Sequence, residues 1–142
     1  MARTYISNER RIAMIIDKNV LGELTKTAKE NPRLRMNMDL RNGENDCSQR
    51  MLNAIEPGTV LPIHRHLNSS VTIVCIRGHF EELIYNETGA LVEAIDMIPG
   101  GNVINLPIGT WHSIRSLESG TVLLEVQDGK WEPLKPEERF EK

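Results

Sequence analysis

The sequence predicts an all-β domain, a small barrel preceded by one short helix, and three observations predict it. After Pro32 the apolar residues recur every second position. A series of short apolar runs then follows, separated by glycine- and proline-containing turns. No helical period of useful length interrupts that series. At 142 residues the chain has room for one core and little more, so residues 1–142 are read as one domain.

The helix is expected over residues 17–30. Asp17 or Asn19 can cap its start, and Val20, Leu21, Leu24 and Ala28 fall on one face. Asn31-Pro32 ends it, because proline disfavours a helical residue before it. Such a helix serves to pack against the barrel or against a second copy. The barrel is expected over 33–127. Its first strand, 33–41, alternates arginine, asparagine or aspartate with leucine or methionine, giving one oily and one polar face. Further strands are expected at 49–56, 60–66, 71–77, 80–85, 91–97, 103–106, 111–116 and 121–127. Turns at Pro57-Gly58, Thr88-Gly89, Pro99-Gly100-Gly101, Ser119-Gly120 and Asp128-Gly129 separate many of them. Residues 130–142, with two prolines and many charges, read as a surface extension with a frayed end, anchored by Trp131.

Composition narrows the function. A hydrophobic fraction of 39% suits a folded domain, and a net charge of -3 without a basic patch argues against nucleic acid. No apolar run approaches the roughly 18 residues that span a bilayer. The short apolar stretch 12–16 is flanked by charges and lacks a cleavage site, so no signal peptide is read. Two cysteines, Cys47 and Cys75, are too few for a secreted disulfide framework. A cytoplasmic, reducing setting is expected.

The chemistry lies with the histidines. His64 and His66 are two apart on an extended run, so their side chains share a face with Cα atoms roughly 6.6 Å apart. Imidazoles so placed can converge on one ion, and imidazole suits zinc, copper, iron and nickel. His112 follows Pro107-Ile108-Gly109-Thr110-Trp111, a turn leading into another strand. His79, after Gly78, is expected to be exposed at a hairpin.

The spacing Gly58-x5-His64-x-His66-x4-Val71-x6-Gly78 resembles the first cupin motif, and Gly101-x5-Pro107-x-Gly109-x2-His112-x3-Ser116 resembles the second. Two positions depart: Val71 stands where the pattern has glutamate, and Ser116 where it often has asparagine. A closer resemblance, to the WbuC family of cupin-fold metalloproteins, rests on Pro32-Arg33-x-Arg35-x-Asn37, Gln49-Arg50-Met51-Leu52-Asn53-Ala54, Glu56-Pro57-Gly58-Thr59 and His64-Arg65-His66. It runs from about residue 17 to 127. Asp39 and Arg41 depart from that family's early strand. That family is associated with bacterial surface-polysaccharide gene clusters, and its reaction is not established.

The resemblance implies a cupin-type double-stranded β-helix, or jelly-roll, barrel. It also implies one divalent ion held by His64, His66 and His112, with zinc, iron, nickel and manganese undistinguished. Val71 cannot coordinate, so the expected ligands are three neutral imidazoles plus open positions; the alternative is a metal-free barrel that keeps its histidines as cavity residues. Cys75 on the Val71 strand is expected to be a small buried residue, and Asp39, Gln49, Glu81 and Glu82 are unplaced oxygen donors. Arg77 is expected on the same face as Val71, Ile73 and Cys75. Arg35 and Asn37 face either solvent or the cavity; in the cavity, Arg35 would grip a carboxylate or phosphate. Gln49, Met51 and Asn53 follow the same alternation on the next strand. Arg35, Asn37 and Gln49 are the expected substrate contacts, while Arg50 serves a loop and Trp111 the outer wall.

Three functions remain open. One is a metal-dependent enzyme on a small polar or sugar-related molecule, another a non-catalytic module that binds such a ligand, and the third a structural dimer with a vestigial cavity. A small-molecule ligand and a homodimer are the expected partners, with neither nucleic acid nor membrane.

Overall fold

The computed structural model describes residues 13–141. The signal-peptide reading of the first residues lies mostly outside them. Helix α1, Lys18–Glu30, starts where the Asp17 carboxylate accepts the Asn19 and Val20 backbone N–H groups at 3.0 Å, a side-chain N-cap. Among the described residues eight strands follow: β1 Arg35–Asp39, β2 Ser48–Ile55, β3 Val71–Arg77, β4 Phe80–Tyr85, β5 Leu91–Met97, β6 Val103–Leu106, β7 Trp111–Ser116 and β8 Val122–Asp128.

The strands form two antiparallel sheets in the orders β1-β2-β8-β3-β6 and β5-β4-β7. Between them lies a core of Ile55, Val71, Ile73, Cys75, Phe80, Met97, Ile104, Leu106 and Leu123. Leu21, Leu24 and Ala28 of α1 pack with Met38, Leu52, Ala54 and Val122 in a second cluster. The even-numbered residues of β1, β2 and β8 thus meet the helix, while odd-numbered residues of the same strands turn to the barrel interior. Two packed β-layers around one core make this a jelly-roll barrel.

Three expectations need correction. Residues 60–66 form no strand. Pro62 lacks an N–H for a ladder, and only His64 pairs, in isolated bridges to His112 and Arg139. Arg77 leaves the Val71 face, because the register with β8 shifts between Cys75 and Arg77. A bulge of this kind re-aims the side chain. The Arg77 guanidinium donates to the Gly120 and Leu21 carbonyls and to the Thr25 hydroxyl, tying the helix to the barrel.

The C-terminal segment is docked. Its 3-10 turn, Pro136–Glu138, presents the Glu138 carbonyl to the Arg65 N–H, and the Phe140 N–H bonds the Ile63 carbonyl. The buried Glu138 carboxylate accepts the Leu67 and Lys135 backbone N–H groups, which hold it below the usual carboxylate range. The anchor is Phe140, edge-on to Trp111 at 5.4 Å; Trp131 is 46% exposed. A Cβ at Gly89 would fall 2.4 Å from the Phe140 ring, and φ is +82° there, so that turn needs glycine.

Candidate metal centre and cavity

The three histidines reach one point from two pieces of chain. His112 is on β7, and His64 is held beside it by reciprocal backbone hydrogen bonds of 3.0 and 2.9 Å. His66 follows, its carbonyl accepting the Gly109 N–H at 2.8 Å. Candidate ligand atoms of the three rings all lie within 4.8 Å of one another.

Hydrogen bonds at the far side of two rings set their orientation. The His64 Nδ1 lies 3.0 Å from the Pro62 carbonyl, which can only accept, so Nδ1 carries the hydrogen and Nε2 the lone pair. The His112 Nδ1 lies 2.6 Å from Glu82 Oε1. Glu82 is 0% exposed, and the His112 Nε2 is buried without a hydrogen-bond partner among the described residues. A buried polar atom with no partner is costly, and a cation would satisfy this one.

Burial lowers His112 to about 4 and raises Glu82 to about 9. Burial thus disfavours the charged form of both partners of this 2.6 Å hydrogen bond. Burial, with the neighbouring imidazoles adding to it, also lowers His64 and His66 to about 4. At neutral pH all three rings keep ligand lone pairs. A carboxylate behind a metal-binding imidazole fixes its tautomer and raises its basicity. A positive charge at Nε2 would in turn favour the ionised form of Glu82. The residues fit a divalent ion.

The histidines line a cavity of about 450 Å³. Its walls include Arg33, Arg35 and Asn37, then Gln49, Met51 and Asn53 of β2, and Glu125 and Gln127 of β8. The polar face of β1 therefore belongs to the cavity. Gln49 is buried and donates to the Gly129 carbonyl at 3.0 Å. Val71, 2% exposed, packs in the core and does not line the cavity. Cys75 is buried in the same cluster, and Cys47 is exposed.

Of the unplaced oxygen donors, Asp39 pairs with Arg41, Glu81 with Arg115, and Glu82 stands behind His112. The sequence carried a partial signal for Glu82. In Phe80-Glu81-Glu82-Leu83 alternation must turn one glutamate inward, and the β4–β7 register sets Glu82 two residues along from Ile84–His112, on the same face. Glu125 was missed. It is half-buried on the cavity wall, and burial with Glu82 nearby raises it to about 7. His79 pairs with Asp96 at the surface. Arg50 holds the 40–48 loop through the Leu40 and Ser48 carbonyls, and Trp111 is packed beneath Arg65.

Fold and site together define a cupin-fold protein with a three-histidine cluster able to hold a metal ion. Residues 16–97 match the family described as "Domain of unknown function (DUF6016)", and the chain belongs to that family. Among curated proteins no sequence matches it. Solved structures share its fold. KdgF from Halomonas sp. is 16% identical with a TM-score of 0.58, over 71% of this chain and 84% of that one. A cupin 2 domain-containing protein from Halorhodospira halophila is 17% identical, with a TM-score of 0.57 over 72% and 70%. An oxalate decarboxylase is 24% identical with a TM-score of 0.55, over 66% of this chain but only 25% of its own. At these identities the likeness is one of fold.

Proposed function

We propose that the protein binds one divalent ion through His64, His66 and His112 and is an enzyme acting on a small polar molecule. The observation that carries this reading is the buried His112 Nε2, without a hydrogen-bond partner among the described residues and backed by Glu82, at the wall of an open cavity. A bound ion supplies Lewis-acid polarisation of a carbonyl or hydroxyl. Arg35, Asn37 and Gln49 would orient the substrate from the facing wall, and Glu125 could exchange a proton near neutral pH. The resemblance to the WbuC family supports a sugar-related substrate in bacterial surface-polysaccharide metabolism. A cytoplasmic setting belongs to the same reading. So does a homodimer, which the exposed Leu91, Val92 and Val103 on the edge strands β5 and β6 support.

The test is to incubate mixed sugars and sugar phosphates with metal-loaded protein, metal-stripped protein and His112→Ala, following products by NMR. Turnover confined to the loaded parent supports the enzyme. Line broadening of one component with no product favours the second reading, a binding module. Val71 at the usual glutamate position supports that alternative, because it leaves one ligand fewer.

A further inference from the structure

The cavity is lined by two guanidinium groups, the exposed Arg33 and the half-buried Arg35, that make no direct ion pair among the described residues. Glu125 and Glu132 share the wall, yet neither closes on an arginine to form such a pair. The Arg35 guanidinium is held below its ordinary value by burial and by the charge of Arg33. A guanidinium in a protein keeps its charge. Two like charges side by side are a standing repulsion that an anion relieves.

The backbone between them is built for this placement. Leu34 has φ +58° and is the non-glycine residue with positive φ among those described. A leucine occupies that region only when its surroundings enforce it. Here its N–H bonds the Asn31 carbonyl at 2.9 Å, and its carbonyl accepts both the Glu56 N–H and the Thr59 hydroxyl at 2.9 Å. Leu34 thus fixes the backbone between two arginines that both line the cavity.

The same wall carries Asn37 and Asn53, with Gln49 and Gln127, whose amide nitrogens donate to the Gly129 carbonyl and the Ser69 hydroxyl and leave their carbonyl oxygens as acceptors. Amides both donate and accept, which matches hydroxyl groups. We infer that Arg33 and Arg35 form the anion-binding end of the cavity. The ligand is then a small polyhydroxylated molecule with a terminal carboxylate or phosphate, its hydroxyl end directed to the histidines. This rests on the small-polar-ligand reading above and names its chemical class. Arginine forks suit both oxyanions.

The experiment is calorimetric titration with two matched pairs, D-gluconate against sorbitol and glucose 6-phosphate against glucose. The titrated proteins are the metal-loaded parent, the metal-stripped parent and Arg33→Gln/Arg35→Gln, the last checked for an unchanged melting profile. At least one anion should bind tenfold or more tightly than its neutral partner, in both loaded and stripped parent. The double variant should lose at least tenfold for the anion and little for the neutral molecule. Preference in the gluconate pair alone assigns a carboxylate, in the phosphate pair alone a phosphate, and in both the shared oxyanion chemistry.

Equal affinity within both pairs, or no binding of any of the four, overturns the inference. So does a preference that survives in the double variant, or one that disappears when metal is stripped, since the anion then sits on the ion. Metal content is measured on the same samples, so failure of the metal reading is seen separately.

Discussion

The two faces of β1, β2 and β8 are made from alternate residues of the same strands, yet they do different work. The even face, with Met38, Leu52, Ala54 and Val122, is sealed beneath α1. The odd face, with Arg35, Asn37, Gln49, Asn53 and Glu125, lines a cavity. Polarity along a strand separates two faces, but it does not say which one meets solvent. In a closed barrel the polar face can be the inner one, and the apolar face can be the outer one when a helix covers it.

The comparison is broken most directly by truncating the sealed face. Leu52→Ala should cost about 2–5 kcal/mol, the range for removing a buried leucine, read as a shifted urea midpoint. Metal stoichiometry below the transition should be unchanged. A variant that keeps its stability would show that the helix-side face is not a packed core.

The site face is probed by Glu82→Ala. It strips the carboxylate from His112 Nδ1 and should weaken metal binding about 10–100-fold, the usual effect of losing such a partner. Competition against a chelator measures it. Unchanged affinity would make Glu82 a bystander.

Titration separates the faces by pH. Glu82 is raised from an ordinary 4.5 to about 9, so the folded metal-free protein holds a proton that the unfolded chain has already lost. Its contribution is complete below pH 4.5 and is lost as pH rises through 9. Glu125, raised to about 7, acts in the same direction over a shorter window. The three histidines, lowered from 6.5 to about 4, act oppositely, and stability falls as pH drops from 6.5 to 4. Above pH 7 Glu82 dominates among these site groups. Urea unfolding of the metal-free parent should therefore show declining stability from pH 7 to 9, and Glu82→Gln should flatten it. A flat parent profile would contradict the burial of that carboxyl.

The smallest effect belongs to the helix cap. Asp17→Ala removes the acceptor for two N–H groups and should cost about 1 kcal/mol, with metal affinity untouched.

Much of the fold was legible because alternation and turn residues report local geometry. Strands β3 to β7 have the bounds that pattern predicts. What failed depended on partners distant in sequence. The 60–66 run reads as a strand, but Pro62 and the docked C-terminal segment make it an isolated bridge. Arg77 reads as inward until a bulge turns it to the helix. The histidine triad was visible from its motif spacing. Glu82 was ambiguous between two adjacent glutamates, and Glu125 gave no signal, because its position depends on which strands flank β8.

The central claim is that His64, His66 and His112 hold an ion, and elemental analysis tests it most directly. Untagged protein is purified without chelator beside His64→Ala/His112→Ala, and both are then incubated with zinc, iron, nickel and manganese. The account predicts close to one ion per chain in the parent and none in the variant. Equal trace metal in both, before and after incubation, would contradict it.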